Sequence, residues 1–164
     1  HLSSLLALSA NDATLQPGFE DKNTSLQGCV PYYGIYDLMD DKKLQSSPAL
    51  EIVLRKKIIK QTKQENEALY QLMSPVSHIN TDAPPFLIIH GDKDSLTTLA
   101  DAQYFASSLD EKSKNTVEFA EICGGQHAFD IFSSIRSDFV LYGVAERMTQ
   151  WHRDYMSQNE ISKK

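Results

Sequence analysis

The chain has 164 residues, 41% of them apolar, with 16 basic and 22 acidic side chains and a formal net charge of −6. That length suffices for one hydrophobic core, and an acidic chain with no face dense in Lys and Arg is excluded as a sequence-independent binder of nucleic acid, whose grip is charge neutralisation of phosphates. No apolar run approaches the ~18 residues of a membrane span, the longest clean stretch being residues 86–89, and two cysteines make no disulfide framework.

The chain opens inside an apolar, helix-like run, with Leu2, Leu5, Leu6 and Leu8 at the spacing of one helical face before the breaker-rich residues 11–18. Residues 26–33 read as a buried strand, because Cys29, Val30, Tyr32 and Tyr33 are strand formers bounded by Gly34 and the acidic turn 37–41. A helical zone follows. Leu50, Val53, Leu54 and Ile58 repeat at three to four residues after Pro48, and Leu69, Leu72 and Met73 do the same beyond a charged segment. Pro84 and Pro85 then launch residues 86–89, a continuous apolar run of the kind buried on both faces of a parallel sheet. Residues 99–109 return to helix, residues 116–122 form the next strand, and Gly124 and Gly125 close it. The last helix carries an apolar stripe of Val140, Val144, Met148, Trp151 and Tyr155, expected to pack on the sheet. Strands alternating with helices imply an α/β fold with a mostly parallel sheet covered on both faces.

In such sheets reactive residues gather on loops beyond the carboxyl ends of strands. Two loops qualify, residues 90–96 (His-Gly-Asp-Lys-Asp-Ser-Leu) and residues 124–129 (Gly-Gly-Gln-His-Ala-Phe). If their strands are neighbours, Asp94 meets His127 across 33 residues of sequence, and an Asp beside a His orients an imidazole to act as general base. The paired glycines permit the sharp turn that lifts His127 above the sheet edge.

With those two loops in place, the chain resembles the α/β-hydrolases, and within them the bacterial carboxylesterases similar to hormone-sensitive lipase and their BD-FAE relatives. Residues 85–96 look like the strand and acid loop, residues 124–129 like the histidine loop, residues 1–7 like the helix after a nucleophile elbow, and Met73-Ser74-Pro75 like the Ser-Pro ahead of the acid strand. The order Asp then His is the family's order. The resemblance implies a serine hydrolase of carboxylic esters, with Asp94 and His127 as two members of a triad, a small-molecule ester as substrate, and no metal or cofactor. No G-x-S-x-G occurs in the chain, so the resemblance places the serine a few residues before His1. Residues 1–164 are then expected to be the C-terminal portion of a single α/β-hydrolase domain, inactive alone, with the remaining N-terminal half as partner and residues 42–73 as a small helical cap insertion. A serine peptidase of the same fold, similar to prolyl oligopeptidase, and a non-catalytic ligand-binding homologue are the alternatives.

Competing readings attach to several residues. Asp92 and Asp101 rival Asp94, with Asp92 expected to bind its own backbone in a turn. His90, Asp92, Asp94 and His127 form a metal reading that is set aside for want of carboxylates. Cys123 and Cys29 are expected to be small buried side chains rather than nucleophiles. Tyr32, Tyr33 and Tyr36 follow a strand end and are read equally as the lining of an acyl pocket and as core and rim aromatics. Tyr32, Tyr33 and Phe129 are the candidate substrate-binding residues, and the basic residues from Arg55 to Lys63 are read as a solvated helix face.

Overall fold

The computed structural model describes residues 1–45 and 47–161. Its centre is strand β1 (Phe86–Gly91), all six residues of which are buried. An apolar strand can be buried so fully only if both backbone edges are hydrogen-bonded, and both are. One edge pairs in parallel with β2 (Val117–Ile122), Phe86 opposite Val117 through Gly91 opposite Ile122. Along the other edge run residues 29–33. Cys29 N–H donates to the Pro85 carbonyl (2.9 Å), Leu87 N–H to Cys29 (3.0 Å), Ile89 N–H to Pro31 (3.0 Å) and Tyr33 N–H to Ile89 (2.8 Å).

The strand expected at residues 26–33 is therefore reduced to two bridges, Cys29 beside Phe86 and Tyr32 beside Ile89. Pro31 explains the reduction: it has no N–H to give the facing Leu87 carbonyl, so the ladder breaks at its middle.

Helices α1 (Leu2–Leu8), α2 (Pro48–Val53), α3 (Glu67–Leu72), α4 (Leu99–Lys112) and α5 (Ile135–Ile161) complete the chain. α4 and α1 cover one sheet face, where Ala7, Leu8, Tyr36, Phe86, Ile88, Phe105 and Leu109 share one core. Tyr36 stacks on Phe105 at 4.2 Å between centroids, and Phe86 meets the same ring edge-on at 6.0 Å. In α1 the buried residues are Ser4, Ala7 and Leu8, while Leu2 and Leu6, expected on the apolar face, stand 66% and 65% exposed.

The period of two along the strands turns Glu118 to the opposite face, and there α5 is anchored. Arg147 pairs with Glu118 at 2.8 Å, and the Trp151 ring lies so close to Gly28 that a Cβ there would fall 2.6 Å from it. The half-buried residues of α5 are Val140, Val144, Arg147 and Trp151; Met148 and Tyr155, expected in the stripe, are exposed. The half-buried positions step from 140 to 144, 147 and 151, so the inward stripe runs through Arg147 and leaves the neighbouring Met148 outside it. Phe132, Ile135, Phe139 and Tyr142, around the start of α5, are also exposed.

Residues 42–73 hold α2, a wide helical turn (Leu54–Ile58) and α3. Ser47 caps α2 by accepting the Leu50 N–H with Pro48 at the first position, and Asn66 caps α3 by accepting the Leu69 N–H. Tyr70, rather than Leu69 or Leu72, is the buried residue of α3. The segment is tied down where Thr98 Oγ1 donates to the Leu44 carbonyl (2.8 Å) and where Lys63 reaches Asp41 (3.0 Å) and the Met39 carbonyl. Lys63 is thus a clasp rather than part of a solvated face. Between the segment and the acidic turn lies a cavity of about 630 Å³ bordered by Asp37, Asp40, Gln45, Arg55 and Lys63. Among the described residues, no helix is long and apolar enough to cross a membrane.

Candidate active site

Parallel pairing brings the carboxyl ends of β1 and β2 side by side, so the loops that follow them must share space. They approach so closely that a Cβ on Gly91 would lie 2.3 Å from the Gly125 carbonyl oxygen, and one on Gly125 would lie 3.0 Å from the Gly91 Cα. Gly124, at φ +66°, makes the turn that precedes this contact. The two loops are then stitched together. Lys93 N–H donates to Gly125 O (2.9 Å), Asp92 N–H to Ile122 O (3.2 Å), and Gly124 N–H to the Asp92 carboxylate (2.6 Å). Asp92 does not bind its own backbone as expected. It accepts from the opposite loop, because the sheet delivers an unpaired N–H there.

Two residues further on, Asp94 has its side chain fully buried. Its Oδ1 accepts the N–H groups of Leu96 (2.8 Å) and Thr97 (2.9 Å), while Oδ2 takes the His127 ring at Nδ1 (2.8 Å) and lies 3.0 Å from Thr97 Oγ1. Burial alone would raise this carboxyl. The N–H groups of Thr97 and Leu96 and the His127 ring overcome that effect and hold it below the ordinary value of 3.8. An ionised carboxylate only accepts, so Nδ1 of His127 carries the hydrogen of this bond. The His127 side chain is 29% exposed. The arrangement is a buried carboxylate behind a partly exposed imidazole, the geometry that a general base and its orienting acid require.

Around this pair the other candidate residues take different places. His90 is fully buried and gives its Nε2 hydrogen to the Thr97 carbonyl (3.0 Å), 3.7 Å from Asp94 Oδ2, and burial lowers its pKa. Asp101 lies on the first turn of α4, where it accepts the Tyr36 N–H (3.0 Å) away from His127. Tyr32, Tyr33 and Phe129 form one aromatic group, with Tyr33 meeting Phe129 edge-on and its ring 4.6 Å from the His127 ring. Cys29 is buried but Cys123, expected inside, is exposed, since it follows the last paired residue of β2; both thiols are free. Among the described residues, no cluster of three His, Cys, Asp or Glu side chains is arranged to hold a metal ion.

Sequence reading passed over Thr97 and Asp130. Thr97 has a legible signal, because an Asp followed at the second and third positions by free N–H groups is the local turn that Asp favours. Asp130, which accepts the Tyr33 hydroxyl at 2.8 Å, has none: its partner lies 97 residues away.

A family model described as BD-FAE matches residues 1–109. The chain belongs to the BD-FAE family. The esterase LipQ of Mycobacterium tuberculosis is 38% identical over 149 residues, which are 89% of this chain and 34% of that protein. The probable carboxylic ester hydrolase LipM of the same organism is 40% identical over 152 residues, 92% of this chain and 35% of that one. The chain thus spans about a third of the length of these relatives. Among solved structures, a truncated carbohydrate esterase from gut microbiota superposes with a TM-score of 0.69 at 21% identity, covering 91% of this chain and 56% of that one. The butyrate-bound esterase Est2 of Thermogutta terrifontis gives 0.64 at 19% identity, covering 90% and 52%. The fold is that of part of an α/β-hydrolase.

Proposed function

We propose that the complete protein of this BD-FAE member is a carboxylic-ester hydrolase in which His127 is the general base and Asp94 its orienting acid. The single observation that carries this reading is the 2.8 Å contact between a fully buried Asp94 carboxylate and a partly exposed His127 ring at the joint edge of two parallel strands. The relatives named as esterases support the reaction class.

In this reading a serine contributed by residues preceding His1 attacks the ester carbonyl. His127 Nε2 takes the hydroxyl proton as the Ser–O–C bond forms, and returns it to the departing alkoxide as the ester C–O bond breaks. Water, deprotonated by the same nitrogen, then releases the acid and regenerates the serine. Asp94 stays ionised throughout and stabilises the transient imidazolium. Tyr32, Tyr33 and Phe129 are assigned to substrate contact, and residues 42–73 to a cap over the site, joined to the acid loop at Thr98. The 164 residues alone, without the serine, are expected to turn over no ester.

Turnover of short p-nitrophenyl esters by the full-length protein tests the reading. His127→Ala is expected to lower kcat by about 10⁴-fold or more with an unchanged far-UV spectrum. Retained turnover in that variant would end the assignment.

A further inference from the structure

His127 sits on a loop with few backbone bonds, yet a base must hold its geometry to within a fraction of an ångström. Asp94 grips one end of the ring. What holds the rest of the loop is found on residues 29–33, on the far edge of β1.

Tyr33 lies there with φ +36°, a conformation that side-chain-bearing residues rarely adopt. A glycine would make the same bend without strain, and the next residue is Gly34. The side chain must therefore contribute something that offsets the strain. Four attachments radiate from this residue. Its N–H donates to Ile89 O of β1 (2.8 Å), and its carbonyl oxygen lies 3.2 Å from Thr97 Oγ1, the hydroxyl that also meets Asp94 Oδ2. Its phenol donates to Asp130 Oδ1 (2.8 Å), three residues past the histidine, and its ring lies 4.6 Å from the His127 ring at an angle of 59°. Burial and then the Asp130 carboxylate push the phenol pKa up to about 12, so the donor hydrogen is kept at any working pH.

We propose that Tyr33 is a positioning residue for the base: its phenol–Asp130 strut and its ring hold the His127 loop in register with Asp94, while its carbonyl abuts the Thr97 hydroxyl beside Asp94. One residue thereby ties the acid loop and the histidine loop to the same strand edge. The strut fixes the loop beyond the histidine, and the ring closes the side of the imidazole. This rests on the assignment of His127 as base, and it adds a task for Tyr33 beyond contact with substrate.

The test uses the full-length protein, with p-nitrophenyl ester turnover and the downfield proton resonance of an imidazole Nδ1–H held on a carboxylate. Tyr33→Phe keeps the ring and removes the strut; Asp130→Ala removes the other end; Asp130→Asn keeps an acceptor oxygen. Tyr33→Phe and Asp130→Ala are each expected to lower kcat about 10–100-fold with KM within about twofold, and to broaden the resonance, as for a base displaced by a fraction of an ångström. Asp130→Asn is expected to recover most of the loss. Turnover within about twofold of wild type in both Tyr33→Phe and Asp130→Ala, a loss confined to KM, or a resonance left sharp would overturn the proposal. Should Tyr33→Phe fail to fold, the contrast between Asp130→Ala and Asp130→Asn decides alone. His127→Ala in the same assay separates the two levels. If it stays active, the base assignment falls; if it is dead while the strut variants are normal, only the positioning of the loop by Tyr33 falls.

Discussion

Asp94 and Asp101 are seven residues apart, both buried, and their carboxyl groups are displaced in opposite directions. Asp94 lies on the loop after β1, where two backbone N–H groups, a threonine hydroxyl and an imidazole converge on it, and its pKa falls. Asp101, on the first turn of α4, is pushed up to about 7, by burial first and then by the charges of Asp37 and Asp40, against the opposing pull of the Tyr36 N–H and the Gln45 side chain. Burial alone therefore does not determine which aspartate is an anion. The number of donors aimed at it does, and a loop that curls around its own aspartate supplies more of them than a helix turn whose N–H groups are already partly used.

The largest expected effect breaks the comparison at Asp94. Asp94→Asn offers an amide in place of the anion and favours the wrong tautomer of His127, so kcat for ester turnover in the full-length protein should fall by about 10⁴-fold. Asp92→Asn, which retains an oxygen for the Gly124 N–H, should cost far less. A larger loss at Asp92 than at Asp94 would reverse the assignment of the acid.

Thr97→Val should come next, because it removes the hydroxyl shared between Asp94 Oδ2 and the Tyr33 carbonyl but leaves the Thr97 N–H bond in place. Loss of one bond to a charged group costs about 1.5–3 kcal/mol. A lowered Tm and reduced kcat are expected together, and an unchanged Tm would remove Thr97 from the account.

The last test reads stability against pH and not turnover. An acid whose folded pKa is depressed stabilises the fold above its unfolded value and loses that contribution as pH falls through the folded value, which is the case of Asp94. Asp101 has the opposite sign. Its folded pKa is raised, so the folded state holds a proton that the unfolded chain gives up, and stability is lost as pH climbs from its ordinary 3.8 to about 7. Asp101→Asn cannot ionise and keeps an oxygen for the Tyr36 N–H. Relative to wild type, its Tm should therefore improve progressively as pH rises from 3.8 to about 7, and parallel curves for the two proteins across that range would refute the raised pKa.

Much of the candidate site was legible because its parts are local. The apolar run 86–89 after two prolines, the Gly-Asp-Lys-Asp loop and the Gly-Gly-x-His loop each announce themselves over a few residues, and strand adjacency then forces Asp94 and His127 together. The illegible parts depend on partners far away in the chain. Pro31 breaks a ladder only because the Leu87 carbonyl faces it. Cys123 is exposed because β2 ends at Ile122, and the inward stripe of α5 passes through Arg147, which meets Glu118, and not through Met148. Asp130 takes part only through a phenol 97 residues earlier.

By itself the amino-acid sequence determined the alternation of strand and helix, the α/β class, the two loops that follow β1 and β2 and the family to which they point, since each rests on periodicity or on contiguous residues. Only the tertiary structure decided which face each helix turns inward, that Asp92 accepts from the opposite loop, and that Tyr33 in a strained conformation links Thr97 to Asp130. Those outcomes are set by which donors and acceptors packing brings within about 3 Å of one another, and no local pattern encodes that.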